Sequence, residues 1–221
     1  MSSFEQVGKR SIAKFFVSVS PAQSKSEVVR KMVAPVAVPS TQEPRLVGPS
    51  SFASLIIPIA ALLAALLSGS LLLLDYVHVI TGAMWTGIDL FMGIVMSRIL
   101  RSLPPPTRVE FIKKLVPIML FLMPALASVA ITAGIYMAGR EGLSFLSPQI
   151  IAAGIVVIIL SVQGFALILP TEVRIFLELR KPNPSTDRIV KLGMRNIYLS
   201  GSQAVFQVVL IFIMATLAMA R

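Results

Sequence analysis

The sequence predicts an all-α fold, a polytopic integral membrane bundle of five transmembrane helices. Of its 221 residues, 56% are hydrophobic and 14% are charged, and the mean hydropathy is +0.85. A soluble domain carries about a quarter charged residues. The segments that follow residue 50 are apolar all round, whereas the strands of an outer-membrane barrel would alternate apolar and polar residues. In addition, the basic residues gather in alternate connections between these segments.

The apolar segments are separated by turn and breaker residues. The sequence SGS at 68–70 predicts a turn after the first segment, so that residues 71–74 join the second. Three prolines at 104–106 precede the third segment, in which Pro117 and Pro124 predict kinks. The predicted spans are residues 52–67, 75–98, 111–138, 148–170, with a helical pattern that continues to 179, and 197–220.

The distribution of Lys and Arg predicts the orientation of the bundle. The first 50 residues hold seven, the 98–114 connection five and the 171–196 connection six, whereas the 68–75 turn has none. With five spans, all three basic regions fall on one side, which the positive-inside rule assigns to the cytoplasm. We therefore expect a multi-pass protein of the cell membrane, with its N-terminus in the cytoplasm and its C-terminus outside.

Composition also divides the chain into two regions. Residues 1–50 form a basic, Ser- and Pro-rich cytoplasmic tail and linker, and residues 51–221 form the five-helix transmembrane domain. The apolar residues of the first 19 fall near one helical face, as in an interfacial amphipathic helix, and a solvated tail fits them equally. The four prolines within 35–50 predict an extended linker.

The second predicted helix carries the residues most indicative of function. At helical spacing His78, Gly82, Trp85 and Asp89 share one face, which Met92 and Met96 continue. His78 and Trp85 are the single histidine and tryptophan of the chain. An ionisable residue inside a membrane is costly to place, so it indicates a functional site. Gly82 and Gly93 leave room on this face for a neighbouring helix or a flat ligand to come close.

His78 is a candidate axial ligand of haem iron, because a neutral imidazole between apolar walls suits a porphyrin. A second interpretation is a histidine that hydrogen-bonds a carbonyl and serves packing. Since the chain has no second histidine, a sixth ligand would be a methionine, water or a partner's residue, or would be absent. Met119 and Met123, four residues apart, are candidate thioether ligands of haem iron or copper(I), or ordinary packing residues.

Asp89 needs a hydrogen-bonding partner or a proton at its predicted depth near the middle of the membrane. Polar residues on other helices could supply one; they are Gln163, Asn196, Gln203 and Gln207. These residues and Asp89 predict an intramembrane polar cluster. It has two interpretations, a set of hydrogen bonds that specifies helix packing and a site for a proton relay or a quinone head.

The remaining charged residues and the motifs argue against a soluble-type enzyme. Five charged residues at 172–181 fit solvated ion pairs on a cytoplasmic extension of the fourth helix. Phosphate-binding, dinucleotide-binding, zincin and nucleophile-elbow motifs do not occur. No cysteine is present, which excludes disulfides, iron–sulfur clusters and thiolate metal sites. Enzymatic activity of the isolated chain is therefore not expected.

The sequence HVITGAMWTG at 78–87 contains an HxxxGxxWxG pattern. It resembles a membrane-helix motif of several small multi-span families. They include the copper-resistance protein D type, the HemJ-type protoporphyrinogen oxidases and the membrane domain of haem-containing urate oxidases. In haem-binding members the histidine of this motif is an axial ligand, and the resemblance implies that role for His78.

Three functional hypotheses follow. The first is an integral membrane subunit that binds one b-type haem through His78 and transfers electrons within a larger membrane complex. The second is a copper-handling or other small-solute transporter that uses His78, Met119 and Met123. The third is a structural accessory subunit. Expected partners are the lipid bilayer and either other membrane subunits or further copies of this chain, and nucleic acid is not among them.

Overall fold

The computed structural model describes residues 48–219, and within this range the chain is helical without strands. Five helices in this part are long and apolar enough to cross a membrane. The predicted all-α, five-helix membrane bundle is thus confirmed. In chain order they are α1 (Pro49–Ser68), α2 (Leu71–Ser102), α3 (Pro105–Arg140), α4 (Pro148–Leu179) and α5 (Thr186–Met219). The amphipathic helix and most of the linker predicted for the tail lie outside the described residues.

The turn between α1 and α2 lies where the sequence predicts it. Gly69 ends α1 with a φ of 68°, a left-handed conformation that glycine adopts without steric cost. The Ser70 side chain then accepts a hydrogen bond from the backbone N–H of Leu73 and caps α2. Residues 71–74 accordingly belong to the second helix.

α4 runs on to Leu179, as its helical pattern predicts. Two other boundaries differ from the sequence-based expectation. α3 begins at Pro105 rather than near residue 111, because proline fits the first turn of a helix, where its missing N–H has no partner to lose. α5 begins at Thr186 rather than near 197, because its charged first turns still bury Ile189 and Gly193 against the bundle.

Two of the long helices contain a π-helical segment. Phe91–Met96 interrupts the α-helical hydrogen bonding of α2, and Val162–Ile168 interrupts that of α4. Such segments widen a helix locally and frequently occur at functional sites. The hydrophobic pattern did not predict either of them.

The centre of the bundle is α3, which packs against α1, α2, α5 and the C-terminal part of α4. α2 also packs against α1 and α5, and α5 against α4. The α2–α3 and α4–α5 connections, 103–104 and 180–185, are flanked by most of the basic residues, and we call this the basic end. The opposite end has the α1–α2 turn and the α3–α4 connection, 141–147.

Candidate functional site

His78 lies half-buried between α2 and α3, nearer to the end opposite the basic end. Its Nδ1 lies 2.8 Å from the backbone oxygen of Ala130, which accepts a hydrogen bond from the Nδ1–H tautomer. Its ring also fills the space beside Gly134, where an added Cβ would stand 2.8 Å from the His78 Cε1. Nε2 has no hydrogen-bond partner among residues 48–219.

The glycines of α2 differ in their surroundings. Open space surrounds Gly82, since no atom would lie within 4 Å of an added Cβ. At Gly93, in contrast, an added Cβ would overlap the Cα of Gly201 on α5. The close helix approach that the sequence allows at these glycines therefore occurs at Gly93.

Trp85, Met119 and Met123 line a cavity between α2, α3, α4 and α5. Its volume is about 60 Å³, and its walls are mainly apolar. The His78 ring is not part of the wall, and Ala130 follows Met123 by seven residues, about 10 Å along a helix. The structure thus brings Trp85 and the two methionines together, with His78 and Gly82 elsewhere on α2. The haem and copper sites stay predictions.

Asp89 is fully buried, with 0% of its side chain exposed, about midway along α2. Its Oδ2 accepts a hydrogen bond of 2.9 Å from Nε2 of Gln207 on α5. The side chains of Trp85 and Ser200 also face the carboxylate. Its other oxygen, Oδ1, has no hydrogen-bond partner in the described part of the chain, and the same is true of the side-chain oxygens of Gln163, Asn196 and Gln207.

The other predicted polar residues bond elsewhere. Gln203 donates to the backbone oxygen of Leu160 at 3.0 Å, and Gln163 donates to the Ser202 hydroxyl at 3.0 Å. Both bonds link α4 to α5 beside the π-helical segment of α4. Asn196 donates to the backbone oxygen of Ile168 at 3.2 Å. These interhelical hydrogen bonds stabilise the packing of α4 against α5.

Glu172 is a functional candidate that the sequence analysis missed. It was expected to be solvated, but 7% of it is exposed and it lines the cavity near the basic end, so that expectation is wrong. Asp89 lies near enough to interact with it electrostatically. A signal was present in the sequence, because Glu172 lies four residues after Ile168 and three before Ile175, the spacing of one helical face. The structure buries both isoleucines.

The ion pairs expected at residues 172–181 are found at Glu178 instead. Its carboxylate contacts Lys181 Nζ at 2.7 Å and an Arg188 guanidinium nitrogen at 3.5 Å. It also accepts a hydrogen bond from the backbone N–H of Ser185. Glu178 therefore stabilises the α4–α5 connection, and two basic side chains neutralise its charge. Glu172 has no such partner among residues 48–219.

Comparison with protein-family models, with curated proteins and with solved structures finds no match to this chain. Function must therefore be argued from the site. Among residues 48–219, no group of three or more His, Cys, Asp or Glu side chains converges as a metal site would require. The arrangement that remains is a small apolar-walled cavity with one acid in its wall and a second acid beside it.

Proposed function

We propose that this protein is an integral membrane subunit that transfers protons, with Glu172 and Asp89 as the proton-carrying groups. The proposal rests above all on two buried carboxyl groups, Glu172 in the cavity wall and Asp89 near it, neither of which forms an ion pair within the described residues. Acids inside a membrane bundle are rare, and those without a fixed countercharge typically belong to proton or ion pathways. Glu178 differs from these two acids, because its ion pairs with Lys181 and Arg188 give it a structural role.

The size of the cavity favours water over a large ligand. A cavity needs about 10–15 Å³ to hold a single water, so this cavity of about 60 Å³ has room for more than one. Ligand pockets usually measure about 300–1,000 Å³. The cavity wall also offers polar groups at Asn196, Ser200 and Gln203 that water can bond. The cavity is therefore small for a ligand as large as a porphyrin.

The proposed transfer has a defined start and end. A proton leaves the Glu172 carboxyl group in the cavity wall and crosses the cavity as a hydrated proton. It then reaches the Asp89 carboxylate behind the wall residues Trp85 and Ser200, and binds at Oδ1, the oxygen that Gln207 leaves free. Glu172 lies nearer the basic end and Asp89 near mid-membrane. By the positive-inside rule we place the basic end in the cytoplasm of a cell-membrane protein. Protons would then pass between the cytoplasm and the bilayer centre, where a partner subunit or a second copy can take them over.

The test is proton flux into lipid vesicles that contain the purified protein. A potassium diffusion potential drives the flux, and an enclosed pH-sensitive dye reports it. We expect Glu172→Gln and Asp89→Asn each to reduce the flux at least tenfold, because an amide of the same shape cannot carry the proton. Glu110→Gln is the matched control, since Glu110 is an exposed acid on α3 near the basic end, and its flux should equal that of the wild type.

Infrared difference spectroscopy on a pH step gives a second readout that needs no partner subunit. The carboxyl C=O bands of the wild type should change with pH and shift in D₂O, and each of the two variants should remove part of the signal. Wild-type protein with neither proton flux nor an exchangeable carboxyl band contradicts the proposal. So does equal flux in Glu172→Gln, Glu110→Gln and the wild type.

A second candidate function is haem binding at His78, outside the cavity. It is supported by the hydrogen bond to the Ala130 oxygen, because metal-ligating histidines usually donate their other ring N–H to a carbonyl or carboxylate. That bond leaves Nε2 as the ligating atom. A Soret band of protein expressed with haem supply, lost in His78→Ala, would support the haem; its absence from folded wild-type protein would exclude it.

A further inference from the structure

Three exposed arginines and a tyrosine lie where α2 and α5 reach the basic end. The Arg101 guanidinium lies over the Tyr198 ring, with its central carbon 6.0 Å from the ring centroid. Arg98 precedes Arg101 by three residues, and Arg195 precedes Tyr198 by three, so each pair shares a helix face. We call Arg98, Arg101, Arg195 and Tyr198 the arginine patch.

The positive charge of the arginine patch has no partner in the described part of the protein. None of its three arginines forms an ion pair with a carboxylate there, although Arg188 nearby does. Arg101 donates through Nε to the Ser97 backbone oxygen at 3.0 Å, a bond that orients the guanidinium and leaves its terminal nitrogens available. Like charges held together in this way are stabilised by a bound anion.

The patch lies at the border between the apolar and the charged surface. Within a few residues of it, Ile94 on α2 and Val205 on α5 are exposed, at 53% and 64%. Tyr198 is half exposed, and an amphipathic aromatic ring in this position is typical of the membrane–water interface. An anion bound here therefore has charged groups on one side and an apolar helix surface on the other.

We propose that the arginine patch binds the phosphate headgroup of an anionic phospholipid, with the acyl chains along the exposed surfaces of α2 and α5. A guanidinium offers two parallel N–H donors to a phosphodiester, and basic clusters between membrane helices are suited to anionic headgroups. The site is independent of the cavity and of proton transfer, so either proposal can fail without the other.

The experiment is an isothermal titration calorimetry measurement, in which short-chain phosphatidylglycerol is added to the detergent-solubilised protein. Phosphatidylcholine of the same chain length is titrated in parallel. We expect phosphatidylglycerol to bind at least tenfold more tightly than phosphatidylcholine. Each arginine at a membrane surface contributes about fivefold in affinity for anionic lipid, so Arg101→Gln, Arg98→Gln and Arg195→Gln should each weaken binding about fivefold. Arg98→Gln and Arg195→Gln are included because these side chains make no hydrogen bond in the described structure.

Arg174→Gln is the matched control. Arg174 is an exposed arginine on the C-terminal part of α4, which packs on α3 and α5, and its removal should change the affinity less than twofold. Equal losses in Arg174→Gln and in the patch variants would overturn the proposal, because they indicate a diffuse charge effect. Equal affinity for the two lipids would also overturn it, and so would displacement of phosphatidylglycerol by inorganic phosphate at the same concentration.

Discussion

The two halves of the bundle treat their buried polar groups differently. In the half away from the basic end, His78 is bonded to the Ala130 oxygen and wedged against Gly134, within a close-packed interface of small and aliphatic residues. In the other half, Asp89 retains an unbonded oxygen and Glu172 lines a cavity. An unsatisfied polar group in lipid costs several kcal/mol. The two acids of this second half are therefore the stronger candidates for function, because acids inside a membrane bundle without a fixed countercharge typically belong to proton or ion pathways.

The largest effect that tests this comparison is expected at the glycine contact between α2 and α5. Gly93→Ala should lower the free energy of unfolding by about 3 kcal/mol, because the added Cβ overlaps the Gly201 backbone, which cannot move aside as a side chain can. Gly82→Ala, in open space on the same helix, should change it by at most about 1 kcal/mol, towards greater stability. Unfolding in mixed micelles, followed by the fluorescence of the single tryptophan, measures both. Equal effects would show that the close approach is not tight.

The next effect concerns the hydrogen bond between Asp89 and Gln207. Gln207→Leu removes the donor to a fully buried carboxylate and should lower the free energy of unfolding by about 2 kcal/mol. Asp89→Asn keeps an acceptor oxygen for Gln207 and should cost about 1 kcal/mol or less, even though we expect it to stop the proposed proton transfer. If Asp89→Asn is as destabilising as Gln207→Leu, Asp89 serves packing and resembles His78 after all.

A smaller effect sharpens the description of the close-packed half. Gly134→Ala should destabilise the wild type by about 1–2 kcal/mol, because its Cβ would press on the His78 ring. In a His78→Ala background the same Cβ meets an empty space, and Gly134→Ala should be neutral or stabilising. The double-mutant cycle should therefore give a coupling of about 1 kcal/mol or more. Additive effects would mean that the ring does not occupy this position.

The smallest expected difference is between the arginines that bond backbone oxygens at the two ends. Arg108 donates to the oxygens of Leu103 and Arg101 at 2.7 and 2.8 Å, whereas Arg140 reaches the Leu66 oxygen at 3.4 Å. Arg108→Gln should cost about 1 kcal/mol, and Arg140→Gln at most about 0.5 kcal/mol. Thermal unfolding of the two variants in the same detergent ranks them; the reverse order would contradict these hydrogen bonds.

Much of the fold could be predicted from the sequence because lipid imposes simple rules. A span needs about 20 apolar residues, and Gly69 and Ser70 end one helix and begin the next through local geometry. The helix ends at the basic end were predicted less well, since the prolines of 105–106 can either stop a helix or start one. The first turns of α5 are charged, and only their contact with α3 and α4 shows that they bury a face.

The candidate site was predictable in part. Asp89 and Gln207 were recognised as polar residues inside spans, but no sequence pattern states that they bond each other across 118 positions. His78 and Met119 were grouped by chemistry, yet they lie at different levels of the bundle. Glu172 was assigned to solvent because charged residues follow it, and the decisive fact, the cavity beside it, forms from four helices.

The sequence by itself determined that the helices suit a lipid bilayer, how many of them span it, and at which end the basic residues gather. These properties depend on the hydrophobicity and charge of contiguous residues, which the chain carries regardless of its fold. Only the tertiary structure decided which polar groups are satisfied and which remain available, since that depends on distances between helices. Of this second kind are the bond of His78 to Ala130 and, within residues 48–219, the lack of a partner for Asp89 Oδ1 and of an ion pair for Glu172.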